Sequence, residues 1–149
     1  MAAASNTARR EALLRAYLDA WLTGNSAVLD DVFSPDVVYS ECYGPEYRGL
    51  AQVKLWFSDW NRVGTVLEWH IKRFIHQGDT TAIEWRFRNR YFDKEDCFDG
   101  VTLADFDAAG KIVSLKEFYS RSEHILPYAD NQSHEDGKTL ESAWRKFSG

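Results

Sequence analysis

Along the first part of the chain, apolar side chains recur every three or four positions. Leu13, Leu14, Tyr17, Leu18, Trp21 and Leu22 form one stripe, the spacing of a helix with a single buried face. Gly24 stands where such a helix ends, and Asn25 is suited to cap the next. That second helix is short, with Val28, Leu29, Val32 and Phe33 inward before Ser34-Pro35 closes it. Asp36 to Tyr43 reads as a strand, because Val37-Val38-Tyr39 suits a pleated, half-buried surface. Gly44-Pro45 breaks it, and Gly49 precedes a third helix with Val53, Trp56, Phe57 and Trp60 on one face.

Beyond Gly64 the period changes. Thr65 to His76 and Thr80 to Tyr91 are expected to be long strands joined at Gln77-Gly78-Asp79. In the second, Ile83, Trp85, Phe87, Asn89 and Tyr91 alternate with Glu84, Arg86, Arg88 and Arg90. One side is therefore buried and the other meets water or a partner. A polar linker, Asp93 to Asp96, leads to a strand from Phe98 to Asp107. A turn at Ala108-Ala109-Gly110 then gives the last strand, Lys111 to Ser120. Helices first and antiparallel strands afterwards define an α+β class, with the helices packed on a curved sheet. From Ala129 the composition turns polar. The expected division is one domain over residues 1–128 and a tail over 129–149, in which Thr139 to Phe147 has the spacing of a short helix.

Composition narrows the function. The chain has 149 residues, enough for one domain with a real core without disulfides or metals. Aromatics make up 15%, with six Trp. That is more than core packing requires, and such side chains suit pocket walls and interfaces. A net charge of −5, with basic residues interspersed among acids, argues against nucleic acid as the main partner. No run approaches the ~18 apolar residues of a membrane span. The start, Met1-Ala-Ala-Ala-Ser-Asn, lacks the basic and apolar regions of a signal peptide. Cys42 and Cys97 make no disulfide framework, so a reduced, cytoplasmic, soluble protein is expected.

Four residues carry candidate chemistry. Glu117 shares a side of the last strand with Leu115 and Tyr119. A carboxyl among apolar neighbours has a raised pKa and suits acid–base work; the other reading pairs it with Lys54, Lys72, an arginine or solvent. Tyr39 and Glu41, two apart, share a side of the first strand. Glu41 either faces one cavity with Glu117, where like charges push one pKa up, or points to the rim. His70 allows either phase: inward it is a proton shuttle, outward a solvated residue, the phase that Trp69 and Ile71 favour. On a strand His70 and His76 lie about 20 Å apart; with His124 and His134 they form no metal set. Asp99 and Asp105 are further acids of open facing, Asp105 being expected to lie exposed near the turn. Trp56, Trp60, Trp69, Trp85, Phe87, Phe98 and Tyr119 read as core and equally as the wall of a ligand pocket.

Together, the first amphipathic helix, Phe33-Ser-Pro-Asp-Val-Val-Tyr39, Arg48-Gly49 before Trp56-Phe57, the long hairpin, Phe98-Asp-Gly-Val-Thr102 and Gly110-Lys-Ile-Val-Ser-Leu-Lys-Glu-Phe-Tyr119 carry a resemblance. From Ala8 to Tyr128 the chain resembles the SnoaL-like branch of the nuclear transport factor 2-like superfamily. Its members include polyketide cyclases, ketosteroid isomerases, limonene epoxide hydrolases and dehydratases. The resemblance implies a cone, with helices on a mainly antiparallel curved sheet and the pocket in its open mouth. Glu117 matches an acidic residue that is catalytic in the epoxide hydrolases. Tyr39 and Glu41 fall where those enzymes hold a Tyr and an Asn that orient water. The same enzymes need an Arg and an Asp two apart on the strand that here reads Ile83-Glu-Trp-Arg-Phe-Arg88, whose inward positions are Trp85 and Phe87. Epoxide hydrolysis is therefore disfavoured. The expectation is acid–base catalysis of isomerase, cyclase or hydro-lyase type, without cofactor or metal, on a small hydrophobic molecule. The alternatives are a non-catalytic ligand-binding protein and a dimerisation module. A homodimer through the exposed sheet face is expected in any case.

Overall fold

A computed structural model describes residues 2–121, 123–132, 141, 142, 144 and 145. Helix α1 runs over Ala2–Thr23, a 3₁₀ turn over Ser26–Val28, and α2 over Leu29–Val32. Strand β1 (Phe33–Ser40) and the short β2 (Glu46–Arg48) precede α3 (Leu50–Val63). The chain then makes β3 (Gly64–Gln77), β4 (Thr80–Tyr91), β5 (Lys94–Phe106) and β6 (Ile112–Arg121).

The six strands form one sheet in the order β2-β1-β6-β5-β4-β3. From β3 to β6 each strand pairs antiparallel with the next, whereas β1 lies parallel to β6. The sheet is thus mixed at the edge where the site forms. Its inner face carries Ile83 and Trp85 of β4, Phe98 and Ala104 of β5, and Ile112 and Leu115 of β6, all buried. Leu14, Tyr17, Leu18 and Trp21 of α1 cover them, together with Val53 and Phe57 of α3. This is the core that the two periodicities call for.

Four boundaries differ from the sequence reading. Phe33 is fully buried but starts β1 instead of ending a helix, so β1 lies three residues earlier than expected. Leu22 falls off the α1 stripe and is 41% exposed. The expected linker Asp93–Asp96 belongs mostly to β5. Tyr91 pairs with Lys94, leaving Phe92 and Asp93 as a two-residue turn with Phe92 at φ 54°, the left-handed geometry that tight hairpins require. Gly44-Pro45 only interrupts the sheet, which resumes as β2 with Tyr47 opposite Tyr39. In the tail, Leu140 and Phe147 of the expected helix lie outside the described residues, and Trp144 is exposed. No helix among the described residues is long and apolar enough to cross a membrane.

Candidate functional site

The parallel pairing of β1 with β6 sets Tyr39 opposite Leu115, one inward step from Glu117. Tyr39 is fully buried, and its hydroxyl donates to Glu117 Oε2 at 3.0 Å. The Tyr17 hydroxyl of α1 donates in turn to the Tyr39 hydroxyl at 2.6 Å. A one-way chain of donors thus runs from the helix through β1 to a carboxyl on β6. Oε2 accepts from Tyr39, which leaves Oε1 free to carry the proton of neutral Glu117.

Burial dominates the electrostatics. It raises the Glu117 pKa to about 8; the Tyr39 hydrogen bond opposes this and the Glu41 carboxyl adds to it. Glu41 rises to about 7, again mainly by burial, with the Tyr47 hydroxyl pulling it partly back. Tyr17 and Tyr39 are pushed well above the ordinary phenol range, by burial first and then by Glu117. Both remain neutral donors at any moderate pH. The Cys42 thiol is pushed up to about 12, chiefly by burial, so it stays protonated and a poor nucleophile.

Glu117, Tyr39 and Glu41 open onto a cavity of about 550 Å³, within the range of small-molecule sites. Trp21, Trp56 and Trp60 face it from the helices, with Tyr47 stacked on Trp56 at 4.5 Å. Trp69, Trp85, Phe87 and Phe98 face it from β3, β4 and β5. The Trp85 indole N–H donates to Thr102 Oγ1 at 2.8 Å, and its ring fills the space over Gly100, where a Cβ would come within 2.3 Å of it. Asn89, Tyr91, Lys94, Asp96 and Asp59 line the cavity towards the strand ends and α3. The Trp69 indole nitrogen is buried with no hydrogen-bond partner among the described residues.

A family model for the SnoaL-like domain matches residues 14–115, more than half of the chain and every residue that lines the cavity except Glu117. The chain belongs to the SnoaL-like domain family. No curated protein matches its sequence. Among solved structures, an LEH-like epoxide hydrolase from M. tuberculosis has a TM-score of 0.68 at 16% identity, over 76% of this chain and 84% of that one. A ketosteroid isomerase-like protein from Catenulispora acidiphila, in complex with trimethylamine, has a TM-score of 0.64 at 21% identity, over 72% and 85%. A candidate polyketide cyclase from Xanthomonas campestris has a TM-score of 0.63 at 19% identity, over 77% and 93%. At these identities the likeness is one of fold.

On this SnoaL-like frame the candidates sort by position. Glu117, Tyr39 and Glu41 come together, and Glu41 enters the cavity instead of pointing to its rim. His70 does not join them: it is exposed and pairs with Arg86 in register, on the sheet face away from the cavity. The β3 phase that turns Trp69 inward turns His70 out. Tyr119 is also outside the lining. It is 48% exposed and packs against Phe98 and Tyr43. Trp56, Trp60, Trp69, Trp85, Phe87 and Phe98 all line the cavity. Asp99 lies on the outer face, in ion pairs with Lys72 at 3.1 Å and Arg86 at 3.8 Å. Asp105, half-buried, accepts a hydrogen bond from Thr80 at 2.5 Å. No group of three His, Cys, Asp or Glu among the described residues is placed to hold a metal ion. Tyr17 escaped the sequence reading. It counted only as part of an apolar stripe, although a buried tyrosine hydroxyl calls for a partner.

Proposed function

We propose that this SnoaL-like protein is an acid–base catalyst of isomerase, cyclase or hydro-lyase type, acting without a cofactor on a small, largely apolar molecule. The observation that carries the reading is the Glu117 carboxyl, bound through Oε2 to the Tyr17–Tyr39 chain and open through the cavity. With pKa values of about 8 and about 7, Glu117 is mostly neutral and Glu41 about half ionised near pH 7. That is the donor–acceptor split general acid–base chemistry needs. Glu117 gives or takes a proton at Oε1. Tyr39 strengthens its hydrogen bond as charge develops on the carboxylate, and Tyr17 supports Tyr39. The Catenulispora protein, of the same fold, is in complex with a small molecule, trimethylamine, which supports a small ligand here.

Replacing Glu117 with Gln keeps an acceptor for Tyr39 and removes the titrating proton. In a screen of carbonyl and hydroxyl compounds, turnover should fall ~10²–10⁴-fold, the usual contribution of one acid–base group, with an unchanged circular dichroism spectrum. Unchanged turnover would sink the assignment. A non-catalytic ligand-binding protein is the second reading, favoured by Trp85 and Phe87 standing where the epoxide hydrolases keep ionic residues. Carboxyl titration by NMR separates the two: ordinary values near 4 for both Glu41 and Glu117 favour the binding protein.

We also infer a homodimer through the outer sheet face. Ile75 (52% exposed), Phe118 (53%) and Leu103 (37%) alternate there with the Arg86 and Asp99 charges.

A further inference from the structure

Among the described residues, the deep part of the cavity has acids and no base. Two carboxyls, Glu41 and Glu117, open into it, and no Lys, Arg or His among the lining residues stands beside them. The one lining cation, Lys94, is exposed at the start of β5, close in sequence to the exposed Asp96, which also lines the cavity. The other lining acid, Asp59, has its own ion pair with Arg62. Buried acids are ordinarily paired with a cation or held neutral, so a protein that binds an anion here would add a second unpaired negative charge.

The walls point the same way. Trp21 sits between Trp56 at 4.9 Å and Trp60 at 5.4 Å, and across the cavity Trp69 meets Phe87 at 5.0 Å. Rings packed edge-to-face or tilted in this way leave some π-faces turned to the space between them. An aromatic box of this kind attracts a cation through the ring quadrupoles, most strongly where water is excluded and where the rings are tryptophan.

We propose that the cavity takes a small organic cation, a protonated tertiary amine or a quaternary ammonium compound, with its charged head between the aromatic walls and Glu41 and Glu117 as its counter-charges. The inference rests on the acid–base reading of the same site and adds the class of substrate. An ammonium head supplies the positive charge that the two carboxyls lack, and its alkyl groups fill an apolar box without demanding hydrogen bonds. Carboxylate and phosphate compounds are repelled by like charge once the glutamates ionise.

Binding is then linked to protons. The groups facing Glu117 are Tyr17 from α1, Tyr39 from β1, and Glu41, Cys42 and Tyr47 around the β1–β2 turn. Asp59, Tyr91, Lys94 and Asp96 stand further out along the lining. Burial pushes the Tyr17, Tyr39, Tyr47 and Cys42 groups upward, so they stay neutral, and the changes of charge beside the ligand between pH 6 and 9 come from Glu41 and Glu117. A bound cation favours the ionised carboxylate and expels its proton to buffer.

The test is calorimetric titration of the full chain with tetramethylammonium, whose charge does not vary with pH, and with the uncharged isostere neopentyl alcohol. At pH 8.5 the cation should bind at least tenfold more tightly than the alcohol. That preference should fall at least tenfold at pH 5.5, and the heat should vary with the ionisation enthalpy of the buffer. E41Q and E117Q should each cut the preference several-fold, leaving the alcohol's affinity within about twofold. Equal or tighter binding of the alcohol, binding of benzoate in preference to either, or no binding of the cation at millimolar concentration would overturn the proposal. The acid–base reading fails separately, when both glutamates titrate near 4 in the ligand-free protein.

Discussion

Glu117 is the residue on which most else turns, and its environment makes a signed prediction. A carboxyl whose pKa rises from about 4.5 unfolded to about 8 folded binds more protons in the native state across that window. Unfolding free energy therefore declines as pH rises from 4.5 to 8 and levels off above it. Glu117→Gln removes this term. Its unfolding free energy relative to the parent should climb through the same interval, reaching a gain of roughly 2–4 kcal/mol at pH 9, read from denaturant titrations at pH 5, 7 and 9. Tyr39→Phe acts in the opposite sense on the folded protein. It removes the hydrogen bond that lowers the Glu117 pKa, so the carboxyl should titrate above 8 by NMR. Stability should fall by about 1–3 kcal/mol as Tyr17 loses its acceptor. The facing of Glu117 was legible from its neighbours Leu115 and Tyr119. The Tyr17 contact was not, because nothing in a helical stripe says what a hydroxyl at its centre will touch.

Strands β4, β5 and β6 form the rigid back of the cavity, and their fit turns on one glycine. Gly100 lies opposite Trp85 on one side and Tyr119 on the other. A Cβ there would meet the Trp85 ring at 2.3 Å and the Phe118 carbonyl oxygen at 2.5 Å. Since the backbone oxygen cannot swing away, Gly100→Ala should destabilise the fold by about 3 kcal/mol, measured by denaturant melts. It should also displace the Trp85 ring towards the cavity. The milder Thr102→Val keeps the shape and removes the acceptor of the Trp85 indole. A loss of about 1–2 kcal/mol is expected, with a shift in tryptophan fluorescence. The alternation that buries Ile83 and Trp85 could be read directly, since side chains switch faces at every strand residue. The start of β1 could not: Phe33 suits a helix end and a strand start equally, and its pairing with Ile112 decides.

Among the described residues, one sheet face is left uncovered, opposite the cavity. Ile75, Leu103 and Phe118 stand exposed on it, beside the Arg86, Asp99 and Lys72 charges. If two copies pair through this face, sedimentation velocity at micromolar concentration should show a dimer. Phe118→Asp should dissociate it, leaving the circular dichroism spectrum and cavity binding unchanged. A monomer in the unaltered protein would rule the interface out.

Periodicity and residue type determined by themselves where most helices and strands lie, which face of β4 is buried, and that Glu117 shares a strand face with Leu115. These are local properties, set by the 3.6- and 2-residue repeats of backbone geometry. Tertiary structure alone decided the parallel β1–β6 pairing, which brings together Tyr39 and Glu117, 78 residues apart, and the seating of α1 on the sheet, which brings together Tyr17 and Tyr39, 22 apart. It decided as well that Glu41 turns into the cavity while His70 and Tyr119 stand outside it. Those outcomes depend on the path of the chain and on what packs above each edge, and no spacing within one element records either.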